Sequence, residues 1–86
     1  MKIIVEIPDY NPTAGFTYNW EYGFTIETVI KDGIVHLSAN KEGLISLANH
    51  LLNLAQDSVK AGTHIHLDES NSLESGSSEL IISKTE

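Results

Sequence analysis

The sequence predicts an α+β fold: one small domain of 86 residues, with a mostly antiparallel sheet of about five strands and one amphipathic helix, about residues 40–60, packed on one face. Three patterns predict it. Apolar residues alternate with polar ones in several short runs, one long run repeats leucine and alanine at helical spacing, and turn-forming residues separate the runs.

"KIIVEI" (2–7) reads as the first strand, with Ile3, Val5 and Ile7 on one face, and Pro8 ends it. From Phe16 to Ile30 a second alternation places Phe16, Tyr18, Trp20, Tyr22, Phe24, Ile26 and Ile30 at even positions. A single strand of that length would span about 50 Å, too long for so small a domain. A bend or bulge is therefore expected near Gly23, where no side chain opposes it. Asp32-Gly33 signals a tight hairpin turn, and "IVHLS" (34–38) returns as the partner strand.

Asn40 is a good N-cap for the helix. Leu44, Leu47, Ala48, Leu51, Leu52, Ala55 and Val59 form the stripe expected to face the core, with Asn49, Asn53, Gln56 and Asp57 opposite. Lys60 would complement the helix dipole and Gly62 would supply the left-handed cap. "THIHL" (63–67) and "ELIISK" (79–84) read as the fourth and fifth strands. The acidic segment between them reads as flexible, with Leu73 the one apolar residue able to pin it.

Composition narrows function. Twelve acidic residues, five lysines and no arginine give a net charge of −7. Nucleic-acid binding needs a basic footprint, so DNA or RNA is not an expected partner. A basic macromolecule fits better. No apolar run is long enough to span a bilayer. The N-terminal stretch is too short and too acidic for a signal peptide, and cysteine is absent. The expected location is cytoplasmic.

The densest chemistry lies in "GTHIHLDE" (62–69). If the helix covers the sheet face carrying Ile65 and Leu67, then His64, His66 and Asp68 point away from it, about 7 Å separating the two histidines. His36 would share their face, and would complete a three-histidine zinc site only if strands 34–38 and 63–67 are neighbours. His-x-Ser at 36–38 and His-x-His at 64–66 touch the motifs of two-histidine phosphoesterases and histidine-triad hydrolases. The first needs a second His-x-Ser/Thr, the second a third alternating histidine where Asp68 stands. The reading is therefore a recognition face with no cofactor and no required metal. The alternative is a small metal-binding or enzymatic protein using His64 and His66 with His36 or Asp68.

Across residues about 40–84 the chain resembles the immunity-protein 32 family of bacterial polymorphic toxin systems. The resemblance is carried by Gly43-Leu44 opening a Leu/Ala helix through Ala55, by Gly62 to Asp68, by Leu73 and Glu74, and by Gly76 to Leu80. In the N-terminal half Trp20 and Glu21 are its best candidates. The resemblance implies a non-catalytic antidote that binds a cognate protein toxin. Combined with the outward sheet face and the acidic loop, it nominates His36, His64, His66, Asp68, Glu69 and Glu74 as toxin contacts, with Trp20 a further anchor.

Overall fold

The computed structural model describes residues 1–13 and 15–86. Its order is β1 (Ile26–Lys31), β2 (Ile34–Ala39), α1 (Lys41–Leu54), β3 (His64–Leu67) and β4 (Leu80–Ser83). The α+β class holds, but the single five-stranded sheet does not. Among the described residues four strands form two separate antiparallel pairs, β1 with β2 and β3 with β4.

The hairpin follows its turn chemistry. Asp32 (φ 54°) and Gly33 (φ 74°) both take the left-handed conformation that a two-residue type I′ turn requires. The register pairs Lys31 with Ile34 and Ile26 with Ala39. The long alternation breaks at Gly23 (φ 80°), where Phe24 N–H donates to the Glu21 carbonyl at 3.2 Å. The break is a full turn, and regular strand begins only at Ile26.

Residues 2–7 form no strand. The chain there runs against the helix and the turn after it, whose side chains take up backbone groups of Glu6 and Tyr10. Asn49 Nδ2 donates to the Glu6 carbonyl (3.3 Å), and Tyr10 N–H donates to Gln56 Oε1 (2.8 Å). Farther along, Asn53 Nδ2 donates to the Thr17 carbonyl (3.2 Å), and Glu21 N–H donates to Ser46 Oγ (2.8 Å). A strand bonded to a sheet would have had no use for those amides.

This arrangement turns much of the expected stripe outward, although Leu47 still packs against the core and Val59 is buried. Its buried residues are Gly43, Ser46, Asn49, His50, Asn53 and Leu54. Leu44, Leu51 and Leu52, expected in the core, are 53%, 43% and 50% exposed. Asn40 caps the helix as its type predicts, accepting from Gly43 N–H at 2.8 Å. The C-terminus differs from expectation, since regular helix stops at Leu54 and no basic residue lies in its last turn. Lys84 serves there instead of Lys60, its ammonium donating to the carbonyls of Gln56 (2.7 Å) and Val59 (2.8 Å). Gly62 is no cap either; its N–H donates to the Lys84 carbonyl at 2.7 Å.

The two sheets meet in a small core of Ile26, Leu67 and Leu73, against which Trp20, Phe24, Ala39, Leu47 and Leu80 pack. Residues 74–78 bridge them along the outer edge of β1. Glu74 and Ser78 N–H donate to the carbonyls of Ile26 (2.8 Å) and Thr28 (2.9 Å), and the Thr28 hydroxyl donates to the Ser78 carbonyl. Those bonds are too few to make a ladder, so the sheet stays divided.

Candidate functional site

In β3 the side chains alternate as the sequence requires: Ile65 and Leu67 are buried, His64 and His66 exposed. The outward pair does not act together. His64 Nδ1 lies 3.4 Å from the Gly62 carbonyl, whereas His66 turns toward two carboxylates. Its Nε2 is 3.3 Å from Glu79 Oε2 and 3.8 Å from Asp68 Oδ2. One donor atom from each of His66, Asp68 and Glu79 falls within 4.8 Å of the others. Glu79 was not among the residues nominated from sequence. It arrives because β4 pairs with β3 and places Leu80 opposite Leu67, which sets Glu79 beside the end of β3.

His36 is not part of this group by pairing. It sits in the other sheet, opposite Val29, so the neighbouring strands needed for a three-histidine site are not formed. The cluster that exists offers one nitrogen and two carboxylate ligands, one fewer than a closed structural zinc site uses.

Asp68 and Glu69 also build the loop that follows. The Asp68 carboxylate accepts from Ser70 N–H (2.8 Å) and Asn71 N–H (3.1 Å), and its carbonyl accepts from Ser72 and Leu73 N–H (3.0 and 2.9 Å). Asn71 returns the bond, accepting from Asp68 N–H (3.0 Å) and donating to the His66 carbonyl (3.0 Å). Glu69 Oε2 accepts from Gly76 N–H at 2.8 Å. With Leu73 buried at the far end, this acidic loop is internally bonded, not the flexible segment its composition predicts. Glu74 is exposed and uses its backbone on β1.

Beside His66 lies a cleft of about 230 Å³ lined by Tyr18, Trp20, Ile65, His66, Leu67 and Asn71. Two nominated residues, Trp20 and His66, therefore share one concave surface, which sequence separation hides. Trp20 is half-buried, stacked on Phe24 at 4.4 Å, and backed by His50 at 4.2 Å. His50 has no solvent exposure and, among the described residues, no hydrogen-bond partner on either ring nitrogen. Burial lowers its pKa to about 4, so it is neutral at pH 7.

Comparison with known proteins places residues 34–85 on the family model described as Immunity protein 32. No curated protein and no solved structure matches the chain.

Proposed function

The chain belongs to the immunity protein 32 family, and we propose that it is a non-catalytic bacterial immunity protein that binds and neutralises a cognate toxin domain in the cytoplasm. The family match over residues 34–85 carries this reading. The acidic balance supports it: a net charge of −7 favours fast capture of a basic target by electrostatic steering. No helix among the described residues is long and apolar enough to cross a membrane.

The toxin-facing surface in this reading is the β3 face with its adjoining loop and cleft. His64, His66, Glu69 and Glu74 offer exposed polar groups there, and Trp20 lines the cleft as an aromatic anchor. Asp68 belongs to the same surface, although part of its carboxylate is engaged by the loop. His36 lies on the hairpin and would contact the toxin only across a wider footprint.

Growth rescue tests the function. Co-expression with the cognate toxin domain that this reading requires should restore growth, and the two should co-purify. Equal killing with and without the protein would end the proposal.

The His66, Asp68 and Glu79 cluster favours a second reading, in which this face holds a divalent cation. Zinc titration of wild type and of Glu79→Gln separates the two. Saturable one-to-one binding lost in the variant supports the cation, and weak binding unchanged by the substitution removes it.

A further inference from the structure

The β-hairpin treats its two edges differently. Asn40 N–H donates to the Thr25 carbonyl (3.2 Å), which fixes the alternation of the ladder beyond it. Glu27 with Ser38, Val29 with His36, and Lys31 with Ile34 are then the pairs that exchange hydrogen bonds. The peptide groups of Ile26 and Thr28 point out on the β1 side, and residues 74–78 meet them there. Those of Val35 and Leu37 point out on the β2 side, and among the described residues nothing meets them.

The side chains on the bare edge are as unusual as its backbone. "IVHLSA" contains no charge, no proline and no glycine, the devices that normally keep an exposed edge from pairing. Ile34 and Val35 are 56% and 62% exposed, and Ile30, opposite Val35, is 61% exposed. By register, Ile30, Val35 and Leu37 continue the sheet face that starts with buried Ile26 and Thr28. The apolar stripe thus runs out of the core and onto the surface.

We infer that β2 pairs with β2 of a second copy of this chain, antiparallel about a two-fold axis at Leu37, to give a continuous four-stranded sheet across a homodimer. The choice of a second copy follows from self-complementarity. A two-fold interface needs the same patch to match itself, and an antiparallel pairing centred on Leu37 does so. It sets Leu37 against Leu37 of the partner subunit, Val35 against Ala39 of the partner subunit, and His36 against Ser38 of the partner subunit. The outward peptide groups of Val35 and Leu37 then gain partners, the exposed stripe becomes continuous, and no charge meets a like charge in the strand. The −7 charge of each copy lies outside β2. An interface of standard size takes about 800 Å² from each partner, about one eighth of the 6035 Å² surface of this chain. This inference does not depend on the immunity reading and can hold if that reading fails.

Sedimentation equilibrium of the purified chain should give twice the 9.4 kDa mass at concentrations of about 0.1 mM and dissociation on dilution. Leu37→Lys and Leu37→Glu, each alone, set like charges face to face at the axis and should weaken association at least about tenfold. An equimolar mixture of the two should dimerise again, which also shows that both variants fold. Leu52→Lys, on the exposed helix face, should leave association unchanged. A wild type that stays monomeric at about 0.1 mM overturns the proposal. So does a dimer broken by Leu52→Lys but not by the Leu37 variants, or a monomer whose Leu37 variants lose toxin binding, which would assign the edge to a strand of the toxin.

Discussion

The His50 imidazole lies edge-on to the Trp20 indole, with ring centroids 4.2 Å apart, and the Tyr18 ring meets it at 5.0 Å. A histidine enclosed by aromatic rings with both nitrogens unpartnered is a neutral filler in this fold. Its position ties the helix to the aromatic segment that lines the cleft.

That enclosure makes stability depend on acid. The folded pKa of about 4 lies below the ordinary 6.5, so the unfolded chain binds the proton more readily. The contribution is complete above pH 6.5 and declines as pH falls toward 4. Urea unfolding at pH 7.5 and pH 5 should differ by about 2 kcal/mol from this residue. His50→Leu should remove that part of the difference. A pH dependence identical in wild type and variant would contradict it.

The polar side of α1 should matter more than its exposed leucines. Asn53 is 1% exposed and bonds the Thr17 carbonyl, Asn49 Oδ1 and Gln56 Nε2. Asn53→Ala should cost about 1–3 kcal/mol by stranding those groups, whereas Leu52→Ala should stay within about 1 kcal/mol. Chemical unfolding of both variants decides the point; a larger loss for Leu52 would restore the conventional amphipathic reading.

Gly43 is the helix position where even a methyl group does not fit. A Cβ there would run into the Thr25 carbonyl, which belongs to backbone and has little room to yield. Alanine gains about 1 kcal/mol of helix propensity over glycine, yet Gly43→Ala should lose about 1–3 kcal/mol through overpacking. A stabilised variant would show that the strand and helix separate easily at this point.

Asp68 should prove structural as well as exposed to a partner. Losing the two backbone bonds to its carboxylate should cost about 1–2 kcal/mol, or a melting-temperature drop of roughly 5–10 °C for a domain of this size. Glu69→Ala, which loses one exposed bond to Gly76, should shift it far less. An unchanged melting temperature for Asp68→Ala would mean the loop holds without its turn.

What the sequence made legible is local. Asp32-Gly33 specified the hairpin, Asn40 the helix start, Gly23 the break and Leu73 the loop anchor, because each acts through its own backbone or a near neighbour. The alternation of His64 and His66 against Ile65 and Leu67 was legible for the same reason. The helix face was not. Leucine spacing alone favours a buried leucine stripe, and nothing local reveals that residues 6–21 bring carbonyls and amides needing Asn49, Asn53 and Ser46. Glu79 joined His66 through the register of β3 and β4, and Trp20 reached the same cleft through the fold. Both are products of long-range pairing, to which periodicity is blind.

The central claim is neutralisation by binding, and inhibition of the toxin domain in a purified system tests it most directly. Adding this protein to the purified active domain of its proposed cognate toxin should abolish toxin activity at one equivalent. Trp20→Ala together with Glu74→Lys should raise the amount required, while Leu52→Lys should not. Undiminished toxin activity in a large excess of folded protein would contradict the account.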